Sequence, residues 1–159
     1  TAPSLPLIAY DDISAFKIYL ADVGLLRKLC QLSPRAFGEK NRLFTEFKGA
    51  LTENFVLQSL ICQSDLTPRY WSQNNPSYEV DFLVQKENDI YPVEVKAESN
   101  TRATSLKKFK ELFSDKVKLR IRYSLDNLKL DGDVLNIPLF MIDYTDSLIK
   151  LALNKLGQS

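Results

Sequence analysis

Residues 77–97 read SYEVDFLVQKENDIYPVEVKA, and they hold two alternating patterns separated by a short polar loop. The first pattern, over residues 78–85, predicts a strand with Val80, Phe82 and Val84 on one face and Glu79, Asp81 and Leu83 on the other. The second, over residues 90–97, puts Tyr91, Val93 and Val95 on one face and Pro92, Glu94 and Lys96 on the other. Because the loop between them is polar and short, the sequence predicts a β-hairpin.

The sequence around this hairpin predicts an α/β fold. The longest helical pattern runs from about Arg42 to Gln63, and Pro68 bounds it. The other predicted elements are a strand over 16–20, a helix capped by Asp22, a strand over 69–72, a helix over 104–113, strands over 117–123 and 139–142, and a helix over 146–156. From Arg42 the order is helix, three strands, helix, strand, which favours a mixed central sheet with flanking helices. We therefore predict a single compact unit overall, in which an N-terminal strand and helix extension over 1–41 precedes a domain over 42–159.

The composition excludes several kinds of site. The chain has 159 residues, a net charge of +1 and no histidine. Serine–histidine dyads, cysteine–histidine dyads and zinc sites with imidazole ligands are therefore ruled out. Cys30 and Cys62 lie in apolar stretches that look helical, which favours free, buried thiols in a reducing cytosol. No stretch approaches the roughly 18 apolar residues of a transmembrane helix, and we expect a cytoplasmic protein. Without histidine and with only two cysteines, its chemistry must use carboxylates, lysines, hydroxyls or a hard metal ion.

Three charged side chains of the hairpin form a candidate metal site. Glu94 and Lys96 project from the same face of one predicted strand, about 6.6 Å apart along it. Asp81 occupies the preceding strand, and a tight hairpin brings it close to Glu94. Two carboxylates suit Mg²⁺ or Mn²⁺, because such ions bind a few carboxylate oxygens and keep several waters. The ammonium group of Lys96 then remains available to hold an attacking water or to neutralise phosphate charge.

Glu53 extends this acidic set from the long helix. Its helical neighbours are apolar, so its carboxylate loses solvation unless it is paired, hydrogen-bonded or close to a metal. The alternative is a glutamate at the helix edge that reaches water. A second Glu-x-Lys pair, Glu46 and Lys48, falls within the helical pattern, where side chains two residues apart diverge. Only the downstream pair has a hairpin partner.

The basic residues are concentrated in one part of the chain. Residues 96–122 contain nine basic and three acidic side chains, a net charge of +6. This asymmetry indicates either an anion-binding face or a solvated helix beside an edge strand guarded by lysine. On the first interpretation, the DNA phosphate contacts are Lys107, Lys108, Arg120 and Arg122, with Lys118, Arg120 and Arg122 pointing outward from their strand. Tyr70 and Trp71 could stack on nucleic-acid bases or could pack in the core, and the core interpretation is favoured.

These residues resemble the PD-(D/E)XK nuclease superfamily, which has the restriction-endonuclease-like fold. The resemblance lies in Asp81, the Glu94-Val95-Lys96 triplet and the helical Glu53, in the order helix, three strands, helix, strand. More closely, the chain is similar to a domain of unknown function found at the C-terminus of bacterial and archaeal AAA+-like ATPases. The matching blocks are FKIYLADVGLL over 16–26, GALTENFV over 49–56, YW over 70–71, EVDFL over 79–83 and PVEVKA over 92–97.

The resemblance implies roles for individual residues. Asp81 and Glu94 would bind Mg²⁺ or Mn²⁺, Lys96 would assist the attacking water, and Glu53 would complete the acidic cluster as a further metal or catalytic residue. It also implies that the ATPase is a domain of the same polypeptide and that the extension over 1–41 joins it. The chain has no phosphate-binding Gly-x-x-x-x-Gly-Lys loop and does not begin with Met, so we expect an excised C-terminal piece.

Three functions follow from the sequence and remain open at this point. The first is a metal-dependent DNA phosphodiester hydrolase. The second is a nuclease-shaped module that does not cut and binds nucleic acid or protein for the ATPase. The third is an oligomerisation domain with an accidental acidic patch. The full set of Glu53, Asp81, Glu94 and Lys96 favours the first, since a non-cutting relative has no chemical need for all four.

Overall fold

A computed structural model describes residues 2–33, 42–63, 68–74, 77–97 and 104–157 of the chain. Within these residues the protein is a mixed α/β fold, as the sequence predicts. Four α-helices flank a six-stranded sheet: α1 (Val23–Leu29), α2 (Arg42–Gln63), α3 (Thr104–Leu112) and α4 (Thr145–Gly157). Two 3₁₀ helices, Leu7–Tyr10 and Leu139–Tyr144, complete the described helical structure.

The sheet has the order β1-β2-β3-β4-β6-β5 and contains both antiparallel and parallel pairs. Its strands are β1 (Arg69–Asn74), β2 (Ser77–Lys86), β3 (Asp89–Val95), β4 (Arg120–Ser124), β5 (Lys129–Asp131) and β6 (Val134–Pro138). β1, β2 and β3 form an antiparallel meander, which confirms the predicted hairpin. The chain then crosses through α3 to β4, which is parallel to both β3 and β6.

Each face of the sheet carries its own hydrophobic core. On one face, side chains of α2 and α4 pack against Phe82, Val93 and Ile121. On the other face, Leu106 and Phe109 of α3 pack against side chains of β1, β2 and β3. Trp71 belongs to this second core and makes edge-on contacts with Phe109 and Phe113, so its predicted core role is confirmed.

The predicted alternation of β2 is wrong at its first half, because the strand contains a bulge. Arg69 pairs with Leu83 and Trp71 pairs with Val80, so two steps along β1 correspond to three along β2. The extra residue lies at Asp81–Phe82. As a result Val80 faces the core beneath α3, while Phe82 and Val84 face the core beneath α2 and α4. Strict alternation would have put all three on one face.

The predicted strand over 16–20 is not a strand in the structure. This segment is irregular, and the side chain of Asn54 on α2 holds it in place. The Asn54 amide accepts from Leu20 N at 2.9 Å and donates to Leu20 O at 3.0 Å, as a neighbouring strand would do. An apolar alternation alone does not reveal that a side chain, and not a strand, satisfies the backbone.

The predicted strand at 139–142 is also wrong, since these residues form a 3₁₀ helix. The strand lies earlier, at β6, and the polar turn at Asp131–Asp133 joins it to β5 as a hairpin. Gly132 in this turn has a φ of +56°, a conformation that glycine adopts without a steric penalty. β6 escaped prediction because the buried Asn136 interrupts its apolar pattern. Its amide is satisfied by contacts to Arg122, Ser124 and the backbone of residues 126 and 127.

The remaining helical predictions agree with the structure. α2 begins and ends at the predicted residues, and the Asp22 carboxylate accepts from Leu25 N at 2.8 Å as the predicted cap of α1. The predicted connection from 33 to 41 lies outside the described residues except for Ser33. Cys30 and Cys62 are free, but both are exposed, because they lie on solvent-facing positions at the ends of α1 and α2. Among the described helices, none has the length and apolar character needed to cross a membrane.

We expect Asn54→Ala to destabilise the protein by about 2 kcal/mol. The substitution removes two hydrogen bonds and leaves the backbone N–H and C=O groups of Leu20 without partners. Asn54 is only 2% exposed, so water cannot easily replace its amide. Urea unfolding followed by circular dichroism measures this loss. Asn127→Ala changes an exposed side chain and serves as the matched control. Equal midpoints for the two variants would show that Asn54 does not anchor the N-terminal segment.

Candidate functional site

The bulge in β2 directs the Asp81 side chain toward the neighbouring strand. The Asp81 Oδ2 atom accepts a hydrogen bond from Val95 N at 2.7 Å. The register of β2 with β3 pairs Phe82 with Val93, so Asp81 comes opposite Glu94 one step further along. Bulges next to functional sites commonly re-aim a side chain in this way. The structure therefore places Asp81 beside the strand that carries Glu94 and Lys96.

Glu94 is a buried carboxylate with an unused oxygen. It is 4% exposed, and its Oε1 atom lies 2.7 Å from Lys96 Nζ. Its Oε2 atom is buried and has no hydrogen-bond partner among the described residues. A buried carboxylate oxygen without a partner loses its hydration without compensation. A divalent cation would supply that compensation, so the donor set at Glu94 fits a hard metal ion.

Asp81 carries the electrostatic signature of a crowded acidic site. Burial raises the pKa of Asp81 to about 6, and the charges of Glu53 and Glu94 add to the shift. The hydrogen bond from Val95 N–H and the charge of Lys96 act in the opposite direction and only partly offset it. Asp81 thus senses all three of the other residues that the sequence predicts for the site. Perturbed carboxylates of this kind are more frequent at functional sites than elsewhere.

Glu53 is half-buried and paired. Its Oε1 atom accepts a hydrogen bond from the Tyr19 hydroxyl and lies 3.3 Å from Lys17 Nζ. Lys17 also forms an ion pair with Glu79. Burial lowers the pKa of Lys17, but its contacts with Glu79 and Glu53 outweigh burial, so the net shift is upward. The N-terminal segment therefore supplies an internal cation and a hydroxyl to the outer part of the acidic cluster.

The charges of Glu53, Glu94 and Lys96 all act on Asp81, but the four predicted site residues do not form a preformed set of metal ligands. Across the described ranges, no three acidic or cysteine side chains converge tightly enough to hold a metal ion alone. An ion held by Asp81 and Glu94 would complete its coordination with water and substrate oxygens, which is usual for Mg²⁺. Glu53 would then contribute through charge or through water.

The four predicted phosphate contacts differ in availability. Lys107 is exposed on α3, whereas Lys108 lies 3.2 Å from Glu111 and near the Tyr78 ring. Arg120 donates two hydrogen bonds to Asp133, and its side chain is 15% exposed. Arg122 is half-buried and donates to Asn136 at 2.9 Å. The two arginines therefore do not point freely outward as predicted, and phosphate binding by any of the four stays a prediction.

Sequence reasoning missed three residues of the site. Lys17 and Tyr19 reach Glu53 across more than thirty residues of chain, a contact that no local pattern reveals. Glu79 lies on the same face as Asp81 in the predicted alternation of residues 78–85. That shared face was the signal that could have indicated its place near the site. Arg122 was considered for phosphate binding, but the parallel register also places it opposite Glu94.

Comparison with protein families gives a match over the central part of the chain. The model of a family described as "Domain of unknown function (DUF4143)" matches residues 48–140, which is more than half of the chain. Members of this family are commonly C-terminal to AAA-like ATPases. The matched range contains Glu53, Asp81, Glu94 and Lys96 but not Lys17 or Tyr19. Neither a search of curated proteins nor a search of solved structures gave a significant match.

We expect Asp81→Asn to stabilise the protein near neutral pH. The pKa of Asp81 is raised from 3.8 to about 6 on folding, so the folded state binds more protons than the unfolded state between these values. Stability therefore falls as pH rises from about 4 to about 6, by about 1–3 kcal/mol in total. The asparagine oxygen still accepts from Val95 N–H, so the variant removes the charge without removing the contact.

Urea unfolding across this pH range tests the expectation. The difference between Asp81→Asn and the unmodified protein should be largest above about pH 7 and should vanish below about pH 4. Asp131→Asn, at an exposed carboxylate, controls for a general change in net charge. A constant difference at every pH would mean that the Asp81 charge is not the cause.

Proposed function

The chain belongs to the DUF4143 family, and on that premise we propose that it is a metal-dependent DNA phosphodiester hydrolase. We further propose that its sheet and helices form a restriction-endonuclease-like core of the PD-(D/E)XK type. The mixed sheet and the order helix, three strands, helix, strand from α2 to β4 support this assignment. The hairpin β5–β6 and α4 would then be additions to that core.

The observation that carries the proposal is the environment of Glu94. A buried carboxylate oxygen without a partner lies on the strand whose backbone binds Asp81, and Lys96 contacts the same carboxylate. A structural ion pair between Glu94 and Lys96 would need neither the orphan oxygen nor a second carboxylate with a raised pKa. A divalent cation bound by the two carboxylates would compensate both features.

The residues have distinct tasks in this reaction. Asp81 and Glu94 would hold the ion, and a bound Mg²⁺ or Mn²⁺ would polarise the phosphate and lower the pKa of an attacking water. Asp81 must lose its proton first, because only the carboxylate form binds a cation. Lys96 would then turn from Glu94 toward the phosphate and neutralise the charge that develops on its oxygens.

Glu53 would act at one remove from the phosphate. Tyr19 and Lys17 hold its carboxylate, and its charge still raises the pKa of Asp81. Glu53 therefore helps to set the charge of the cluster. Its replacement by glutamine should reduce activity less than a change at Asp81 or Glu94.

We propose that the partners are DNA and an AAA-like ATPase domain of the same polypeptide, in the cytoplasm and away from membranes. The usual position of the family supports the ATPase partner. The apolar side chains exposed near the N-terminus, among them Leu5 and Ile8, would contact that domain, whereas Leu7 is buried. Two free, exposed cysteines fit a reducing compartment. The isolated chain should be a poor enzyme because the ATPase part delivers the substrate.

A specific observation favours the second function, a module that does not cut. Glu53 is already paired with Lys17 and hydrogen-bonded by Tyr19, as in a structural cluster with no need for a metal ion. In that case the fold would bind nucleic acid or protein for the ATPase without chemistry. Metal binding distinguishes the two functions.

We expect Mn²⁺-dependent nicking of DNA that requires Asp81, Glu94 and Lys96. Asp81→Asn and Glu94→Gln remove ligand charge and should abolish cleavage together with metal binding measured by calorimetry. Lys96→Ala should leave metal binding largely intact and lower kcat by roughly 100-fold or more, since its task is in the transition state. The measurement is gel-based cleavage of plasmid and linear DNA by protein purified with its ATPase part.

Lys48→Ala, in the helical Glu46-x-Lys48 pair, is the matched control and should change neither cleavage nor metal binding. Absence of both Mn²⁺-dependent nicking and divalent-metal binding in the unmodified protein would remove the hydrolase function and leave the binding module. Metal binding that survives Glu94→Gln would show that Glu94 is not a ligand.

We also expect Lys107→Glu combined with Lys108→Glu to weaken DNA binding for all sequences alike. These lysines lie on α3, which covers one face of the sheet. Val93 and Val95 pack on the opposite face, so strand alternation puts Glu94 on the α3 face. Loss of phosphate contacts should reduce the steepness with which affinity falls as salt increases. Fluorescence anisotropy over a salt series measures this slope. Undiminished binding by the double variant would remove α3 from the interface, and Lys150→Glu on α4 provides the control for charge alone.

A further inference from the structure

A cleft of about 530 Å³ lies beside the candidate site, between the N-terminal segment, β1 and the last turns of α2. Residues 10–13 and 15–17 form one wall, and residues 69–72 of β1 form the opposite wall. Leu57 and Ile61 of α2 close one side. Its volume falls within the range of roughly 300–1,000 Å³ that is typical of ligand sites.

The cleft is lined by aromatic rings that the fold leaves accessible. Phe16 is 71% exposed, Tyr10 is exposed and Tyr70 is half-buried. Lys17 Nζ lies 5.2 Å from the centre of the Tyr70 ring. Single exposed aromatic residues are normal on a protein surface, whereas several in one concave site indicate binding. Their flat faces favour a ligand that is itself planar and apolar.

The charged groups around the cleft are already paired with one another. Lys17 is shared between Glu53 and Glu79, and Arg69 donates to Asp11 at 2.6 Å. The Asp12 carboxylate accepts from both Ser14 N and its hydroxyl. The cleft therefore offers rings but little net positive charge, so it suits an uncharged planar group better than a phosphate.

The cleft shares two residues with the surroundings of the acidic cluster. Lys17 and Tyr19 line the cleft and also contact Glu53. Phe82, which follows Asp81 in the bulge, lines it as well, and its ring lies 5.9 Å from that of Tyr19. The cleft therefore borders the acidic cluster through Lys17, Tyr19 and the residue that follows Asp81.

We propose that this cleft binds a nucleobase of a single-stranded DNA segment by stacking on Phe16 and Tyr70. The position of that base next to the reacting phosphodiester rests on the proposed hydrolase function. An unpaired base presents two flat faces to such rings, whereas a base inside a duplex must first leave its stack. The preferred substrate is accordingly DNA with a single-stranded portion at the cleavage site.

Anisotropy measurements in EDTA separate this binding from cleavage. The probes are a fluorescent oligothymidylate of about 15 nucleotides and a blunt duplex of the same length. The unmodified protein should bind the single strand more tightly than the duplex. Phe16→Ala and Tyr70→Ala should each weaken single-strand binding about fivefold to tenfold and leave duplex binding unchanged.

Two further variants test the role of the rings. Tyr70→Phe keeps the ring and should bind like the unmodified protein. Phe140→Ala removes a ring that is 83% exposed and lies outside the cleft, so it should also have no effect. Circular dichroism checks that the variants fold. Phe16→Ala should fold normally because the side chain is exposed. Quenching of a single 2-aminopurine in the oligonucleotide, lost in Phe16→Ala, reports the stacking directly.

The outcomes separate this proposal from the hydrolase. Equal single-strand affinity in Phe16→Ala, Tyr70→Ala and the unmodified protein would overturn the cleft proposal, even if Mn²⁺-dependent cleavage were found. Ring-dependent binding without any metal-dependent cleavage would overturn the hydrolase and leave the base site in place. Protection of β1 amides from hydrogen exchange by an unstructured peptide, but not by the oligonucleotide, would identify a peptide site and overturn the proposal.

Discussion

The hydrogen bond between Asp81 Oδ2 and Val95 N is the contact on which the arrangement of the site depends. It exists because β2 carries one extra residue relative to β1, which turns Asp81 out of regular alternation. The same bulge lets Val80 and Phe82 face opposite cores, so both halves of the strand are anchored by buried side chains. The displaced carboxylate therefore lies between two buried side chains that are packed in opposite cores.

Several carboxylates lie around this contact, and two half-buried lysines partly compensate their negative charge. Lys96 contacts Glu94 from the sheet, and Lys17 joins Glu53 and Glu79 from the N-terminal segment. The compensation is incomplete, because the pKa of Asp81 remains raised and one oxygen of Glu94 has no partner. Unfavourable electrostatics that persist inside a well-packed fold are commonly retained for binding or catalysis. The residual imbalance lies at the two carboxylates that the proposed reaction uses first.

The N-terminal segment contacts both the acidic cluster and the cleft. Asn54 secures it at Leu20 through two hydrogen bonds, and Tyr19 packs on Phe82 of the bulge. From this anchored position it supplies Lys17 to the acidic cluster and Phe16 to the aromatic cleft. These residues lie before the range 48–140 that matches the family model, whereas Asp81, Glu94 and Lys96 lie within it. The two carboxylates Asp81 and Glu94 therefore belong to the matched region, and one wall of the cleft lies outside it.

The sequence by itself determined the features that depend on neighbours within a few residues. Periodicity placed α2 at Arg42–Gln63, a polar loop placed the β2–β3 hairpin, and the hairpin brought Asp81 toward Glu94 and Lys96. Only the tertiary structure decided the bulge in β2, the attachment of Leu20 to Asn54, and the pairing of Arg120 with Asp133. Each of these depends on a partner far along the chain, and a backbone group or an arginine bonds equally well to any suitable partner that folding brings near. Local pattern carries no information about which partner that is.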